Sequence, residues 1–265
     1  MSHTLTRSQM LDALHEALGA DPGVRAVWIA GSAATGRLDE YSDIDLMCAA
    51  ADDHVEETIA LVRRTLESLS PIEIEWRLPA PTWHGHEQAF YRLRDAGPHL
   101  LLDLLVMKLS AAPASRFLEH ERHGVPRVLL DRDGFVVAQP MDRAAHEAKL
   151  RARLERLRSS FPLLQTIVTR AIARNQPCDA AYFYMQLSLL PVVEVLRMLH
   201  SPDRFDFGMR YLRDDLPAIE YARVCGLALP EGCEHGRGLE QLAARQRAAE
   251  ALFRETEQTL RAKGY

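Results

Sequence analysis

Near Met141 the hydrophobic pattern of this chain changes period, and that change constrains the fold more than any other feature. Before it, short apolar runs of strand length alternate with helical stretches and are punctuated by Gly, Pro and Asp. After it, apolar residues recur every three or four positions over long spans, as on one face of a helix. The pattern predicts an α/β (α+β) chain of two domains. Residues 1–141 form a domain with a mixed β-sheet flanked by helices, and residues 142–265 form a C-terminal α-helical bundle. At 265 residues there is length enough for two cores.

In the N-terminal domain, Met10, Leu11, Leu14 and Leu18 predict a helix over 8–19, stopped by Gly19 and Asp21-Pro22-Gly23. Val24–Ala30 reads as a buried strand, Asp43–Cys48 as a second, and Thr58–Leu69 as a helix. Ile72–Leu78, Phe90–Arg94 and Leu100–Met107 are three further strands, the last two joined as a hairpin across Asp95-Ala96-Gly97-Pro98. A last short hairpin is expected from Arg127–Leu130 and Phe135–Val137. Beyond Met141 a long helix is expected over 142–175, kinked or restarted at Pro162. A second spans 179–200 with a kink at Pro191, shorter ones lie between Met209 and Leu227, and a final helix covers 239–263.

Composition narrows the function classes. Apolar residues make up 47% and charged ones 26%, an ordinary globular balance. Up to Met141 there are 13 Lys and Arg against 21 Asp and Glu; beyond it, 19 against 16. A protein gripping long nucleic acid needs a basic surface, so this balance favours a small neutral or cationic partner over a polynucleotide. The N-terminus has no uninterrupted apolar stretch to serve as a signal peptide, and no segment approaches a bilayer-spanning run, so a cytoplasmic location and no membrane partner are expected. Cys48, Cys178, Cys225 and Cys233 form no CxxC pair and read as free thiols. The pair His84-x-His86 lacks a third ligand in register, and its Pro-rich loop is expected to line the mouth of a site.

The chemistry concentrates in Gly31-Ser32, ten residues, then Asp43-Ile44-Asp45, each at a predicted strand end. Side chains alternate along a strand, so Asp43 and Asp45 are expected to project to one side. Two carboxylates sharing a site repel, and a divalent cation relieves that repulsion. Magnesium suits one or two carboxylates plus substrate phosphates. A strand-to-helix turn at Gly31-Ser32 offers N–H groups and a hydroxyl to phosphate oxygens. Asp103 is a charge inside the apolar strand Leu100–Val106, a position that needs a partner; a metal in the same crevice supplies one.

The order GSAATGRLDEYSDID followed by LLLDLL, over about residues 25–107, resembles the DNA polymerase β-like nucleotidyltransferase superfamily, and within it the aminoglycoside and minimal nucleotidyltransferase branch. The resemblance implies transfer of a nucleoside monophosphate, by default AMP from ATP, to a hydroxyl of a small acceptor such as an aminoglycoside, with pyrophosphate released and two Mg²⁺ ions used. It implies that Gly31, Ser32 and Ser42 contact the triphosphate, that Asp43 and Asp45 bind both metals and Asp103 one, and that residues 142–265 complete the acceptor pocket. Arg37, in the phosphate-side loop, and Lys149, on the first bundle helix, are the candidate phosphate cations. Glu75, on a strand expected beside the active strand, and Glu194, interrupting Leu189–Leu196, are candidates for a base or acceptor anchor; a structural ion pair is the alternative for each. Two rival readings remain at this level: AMP transfer to a protein or RNA, as in toxin–antitoxin pairs, and a nucleotide sensor without turnover.

Overall fold

A computed structural model describes residues 4–228 and 238–265; Cys233 lies outside them. Contacts divide the chain into Met1–Met141 and Asp142–Tyr265.

In the N-terminal unit the elements run α1 (Arg7–Ala20), β1 (Val24–Ile29), α2 (Gly31–Ala34), β2 (Ile44–Ala50), α3 (Val55–Leu69), β3 (Ile72–Arg77), β4 (Glu87–Leu93), β5 (Leu101–Lys108), α4 (His120–His123) and β6 (Arg127–Asp131). Helix α1 starts at a capping box: the Thr6 hydroxyl accepts from the Gln9 N–H while the Gln9 carboxamide oxygen accepts from the Thr6 N–H. The six strands form one mixed sheet in the order β3-β4-β5-β2-β1-β6. Only β2 and β5 pair in parallel. The β4–β5 pair is the hairpin expected around Gly97-Pro98.

Alternation along the strands sorts the two faces. Ile44, Leu46, Cys48 and Ala50 with Leu102, Leu104 and Val106 point to one face, where they pack with Met10, Leu14 and Leu18 of α1 and Ile59, Val62 and Leu66 of α3. Met47, Ala49, Leu105 and Met107 point to the other, with Ala26, Trp28, Leu118 and Phe135. That second apolar cluster is small and occupies one end of its face. Asp45 and Asp103, two residues before Met47 and Leu105, continue the same face at the other end.

Two expectations for this unit are corrected. Phe135–Val137 is not a strand; the Asp131 carboxylate accepts from the N–H groups of Phe135 and Val136, folding the chain back as a loop, and β6 pairs with β1 instead. Strand β3 lies at the sheet edge and pairs with β4 alone, so Glu75 does not sit beside the active strand.

The helical unit comprises α5 (Arg143–Ala173), α6 (Pro177–Phe183), a π-helical turn over Tyr184–Leu189, α7 (Leu190–His200), α8 (Leu212–Asp215), α9 (Ala218–Ala228) and α10 (Gly238–Ala262) around one apolar core. Helix α5 runs through Pro162 as one element, without the expected restart. The disturbance expected at Pro191 takes the form of the π turn just before it. Pro191 has no N–H to offer the Leu187 carbonyl four residues back, and the buried Gln165 side chain donates to that carbonyl at 2.8 Å instead. Gln165 also accepts from the Ser188 hydroxyl at 2.6 Å. Arg197 and Asp215, both with fully buried side chains, pair at 2.7 Å, and Arg204 holds the second Asp215 oxygen. Pro177–His200 is, contrary to expectation, long and apolar enough by length and composition to cross a membrane; half of its most apolar window is buried within the structure.

Candidate active site

The site is built where the end of β1 meets the start of β2. Ala30 donates to the Asp45 carbonyl at 2.9 Å, tying the end of β1 to the start of β2. The chain then turns into the single turn α2, with Gly31 in the left-handed region at φ +55. That turn passes so close to Asp45 that a Cβ on Gly31 would lie 1.6 Å from its Oδ2. Glycine is therefore required on two counts, backbone conformation and approach to the carboxylate. The far end of α2 is fixed by the Val125 N–H, which donates to the Ala34 carbonyl at 2.9 Å.

Ser32 follows. It is 6% exposed, and its hydroxyl has no hydrogen-bond partner in the protein. A buried hydroxyl left unpaired costs about 1–3 kcal/mol, so its retention at this turn suits an oxygen ligand arriving from outside.

Across the β2–β5 pair, Asp45 stands directly opposite Asp103. Parallel neighbours opposite one another point to the same face, about 4.8 Å apart between strands. Burial pushes the Asp103 carboxyl up to about 6, the Gln88 amide opposes that rise, and the nearby charge of Asp43 adds to it. Asp43 itself lies just before β2, which begins at Ile44, so it stands at the mouth of the strand and not within it. Among the described residues no three His, Cys, Asp or Glu side chains form a ready-made metal cage. An open set of carboxylates is what Mg²⁺ uses when phosphates supply its remaining ligands. A carboxyl held near 6 by burial beside a second acid, an unpaired hydroxyl and a glycine pressed on the carboxylate together fit a cation and a phosphate group.

Several other predicted residues have different occupations. The Ser42 hydroxyl donates to Asp39 Oδ1 at 2.7 Å and accepts from the Asp39 N–H at 3.0 Å, so it shapes the 39–42 turn and does not offer its proton to a phosphate. That turn is also held by Arg7, whose guanidinium donates to the Asp39 and Ser42 carbonyls, a role that spacing along the chain does not reveal. The Arg37 N–H donates to the Ser32 carbonyl at 2.8 Å, which keeps Arg37 next to the turn. Glu75 is exposed and bound to Arg63 at 2.9 Å. Glu194 is held by Nε and Nη2 of Arg153, at 2.6 and 2.9 Å. Lys149 is an exposed residue of α5. His86 Nε2 lies 2.7 Å from the Ser115 carbonyl and His84 Nε2 lies 3.1 Å from Gln88 Oε1, so the two rings do not form a metal-binding pair.

Sequence reasoning missed Gln88, whose amide donates to Asp103 Oδ1 at 2.7 Å. The sequence pattern starts this strand at Phe90; with β4 starting at Glu87, Gln88 and Phe90 alternate onto the face of Asp103, which Phe90 opposes in register.

Residues 8–89 match the family model described as nucleotidyltransferase domain, a span that includes Gly31, Ser32, Asp43 and Asp45. No curated protein sequence matches the chain. Among solved structures, one similar to it is spectinomycin adenyltransferase AAD(9) from Enterococcus faecialis with ATP and spectinomycin. The two are 9% identical, 92% of this chain and 100% of that chain are covered, and the TM-score is 0.39. A likeness that distant carries no argument about substrate. The span that matches a nucleotidyltransferase domain is thus the one that sets the Gly31-Ser32 turn beside Asp45 in the mixed sheet of the N-terminal unit.

Proposed function

We propose that the chain transfers a nucleoside monophosphate, AMP from ATP in the first instance, to a hydroxyl of a small acceptor such as an aminoglycoside, and releases pyrophosphate. The observation that carries this reading is Asp45 in register with Asp103 while its carboxylate leans on Gly31. Carboxylates and phosphate-binding turn then meet at one point of the sheet.

In this reading the Gly31-Ser32 turn receives the triphosphate, the Ser32 hydroxyl finding the partner it lacks within the protein. Arg37, next to that turn, offsets the charge of the leaving pyrophosphate. Asp43, Asp45 and Asp103 would hold two Mg²⁺ ions, which when bound stabilise the attacking and leaving oxygens of an in-line displacement. Asp103 takes the acceptor side, where its carboxylate would face the attacking hydroxyl beside the metal. The acidic balance of the N-terminal half favours a cationic or neutral small molecule over RNA.

The test is pyrophosphate release from ATP and Mg²⁺ against a panel of aminoglycosides and other hydroxylated small molecules, native protein against Asp45→Ala. Release that one acceptor class stimulates, and that the substitution abolishes, supports the proposal. Label from ATP entering protein or RNA in a lysate instead would replace the small acceptor with a macromolecular one, and nucleotide binding with no release under any condition would make the chain a sensor.

A further inference from the structure

Resting on that reading of the site, we propose that Gln88 and His84 are positioning residues for the third metal-site carboxylate: a directed hydrogen-bond relay, from the His86 backbone through His84 and Gln88, that fixes the orientation of Asp103.

Three bonds in series define the relay. The His86 N–H donates to His84 Nδ1 at 3.2 Å. His84 Nε2 lies 3.1 Å from Gln88 Oε1. Gln88 Nε2 donates to Asp103 Oδ1 at 2.7 Å. Their polarity follows from the first. A backbone N–H can only donate, so His84 Nδ1 must present its lone pair, and the neutral ring then carries its proton on Nε2. That proton points at the Gln88 carboxamide oxygen, which leaves the amide NH₂ for Asp103. The Thr82 hydroxyl, 3.3 Å from Nδ1, does not compete, because it donates to the His86 carbonyl at 2.6 Å.

Each member is held by more than its neighbour in the chain. The Gln88 carbonyl accepts from Leu78 at 3.0 Å, pinning the start of β4. The His84 ring stacks on His86 at 5.6 Å and meets Trp83 and Phe117 edge-on. His86 is anchored through Nε2 on the Ser115 carbonyl. The aromatic loop that would otherwise read as a metal-binding His-x-His thus acts on the metal site at one remove. Among the described residues Gln88 is the only hydrogen-bond donor to the Asp103 side chain, and it reaches Oδ1, so Oδ2 stays open to a cation.

Outer-shell partners of this kind are worth about 10- to 100-fold in metal affinity. The test measures Mn²⁺ binding by electron paramagnetic resonance, without acceptor or turnover, on the full chain, with kcat and the KM for ATP measured separately. Gln88→Met keeps the side-chain length and removes the donor; the expected result is Mn²⁺ affinity lower by about 10-fold or more and a lower kcat, with the ATP KM changed less than about threefold. His84→Phe is expected to lower Mn²⁺ affinity by about threefold or more in the native background and to have no effect in the Gln88→Met background, since it acts only through Gln88. His84→Gln, which keeps a donor at the end of the side chain, is expected to restore affinity to within about twofold. If Gln88→Met fails to fold, Gln88→Asn, too short to bridge His84 and Asp103, carries the same prediction. Native Mn²⁺ affinity retained in the Gln88 variant overturns the relay while leaving the active-site reading standing, as does a His84 effect that persists without Gln88. Absence of Mn²⁺ binding by the native protein overturns the metal reading and the relay together.

Discussion

Replacing Gly31 by alanine separates two costs that the structure assigns to that position. The first is backbone strain: an L-residue in the left-handed region, at φ +55, costs about 1–2 kcal/mol. The second is contact, because the new Cβ would lie 1.6 Å from Asp45 Oδ2 and 2.3 Å from its Cγ. Ordinary van der Waals separation then demands that the carboxylate retreat by more than about 1 Å, a displacement that costs roughly 10²-fold in rate when it moves a reacting geometry. Gly36 is the matched control. It is also left-handed, at φ +71, but its added Cβ meets nothing within 4 Å. Both variants are therefore expected to lose roughly 2–8 °C in Tm from the backbone term. Only Gly31→Ala is expected to lose about 10²-fold or more in kcat/KM, with Gly36→Ala remaining within several-fold of native. Differential scanning calorimetry and steady-state pyrophosphate release read the two quantities. Equal kcat/KM for the two variants would refute the argument that Gly31 is there to admit Asp45.

Other outcomes follow from the buried charges. The folded Asp103 carboxyl titrates near 6, above its ordinary value of 3.8, so the metal-free fold binds this proton more tightly than the unfolded chain. Its contribution is present below about pH 4 and is lost as pH rises through 6, to a penalty of about 3 kcal/mol at neutral pH. Asp103→Asn should therefore stabilise the metal-free protein in chemical denaturation at pH 7 and not at pH 4, while abolishing transfer; equal stabilisation at both would contradict the titration. Asp215→Ala leaves the fully buried Arg197 guanidinium without its carboxylate and should destabilise the helical unit by about 3–5 kcal/mol in urea unfolding; a loss under about 1 kcal/mol would show that the backbone carbonyls around Arg197 suffice to hold its charge. Ser42→Ala, which deletes only the bonds to Asp39, should leave the KM for ATP within about twofold, and a tenfold rise would return Ser42 to the phosphates.

Legibility in the sequence tracked how local each signal was. The change of period near Met141, the strands on either side of Gly31-Ser32 and the hairpin across Gly97-Pro98 depend on neighbours along the chain, and they could be read. Asp103 stood out because a charge inside LLLDLLV has few structural uses. Glu75 misled because alternation identifies a strand but not its place in the sheet; β3 proved to be the edge, where Glu75 meets Arg63 of α3. The family resemblance put Ser42 on the triphosphate, whereas its hydroxyl closes a turn on Asp39, a local bond that serine hydroxyls readily make. Gln88 was lost to a strand boundary placed three residues late, and the relay behind it depends on the loop 82–88 folding back on itself, which no spacing rule encodes. Arg7 is a contact across 32 and 35 residues, visible only once α1 lies against the 39–42 turn.

Nucleotidyl transfer differs from phosphoryl transfer in which phosphorus reaches the acceptor, and ATP labelled separately at the α- and γ-phosphorus distinguishes the two. With Mg²⁺ and a productive acceptor, the α-label should appear covalently on the acceptor and the γ-label should leave in pyrophosphate, both stopping in Asp45→Ala. Transfer of the γ-label to the acceptor, with the α-label remaining in ADP, would mean that the chain is a phosphotransferase and not a nucleotidyltransferase.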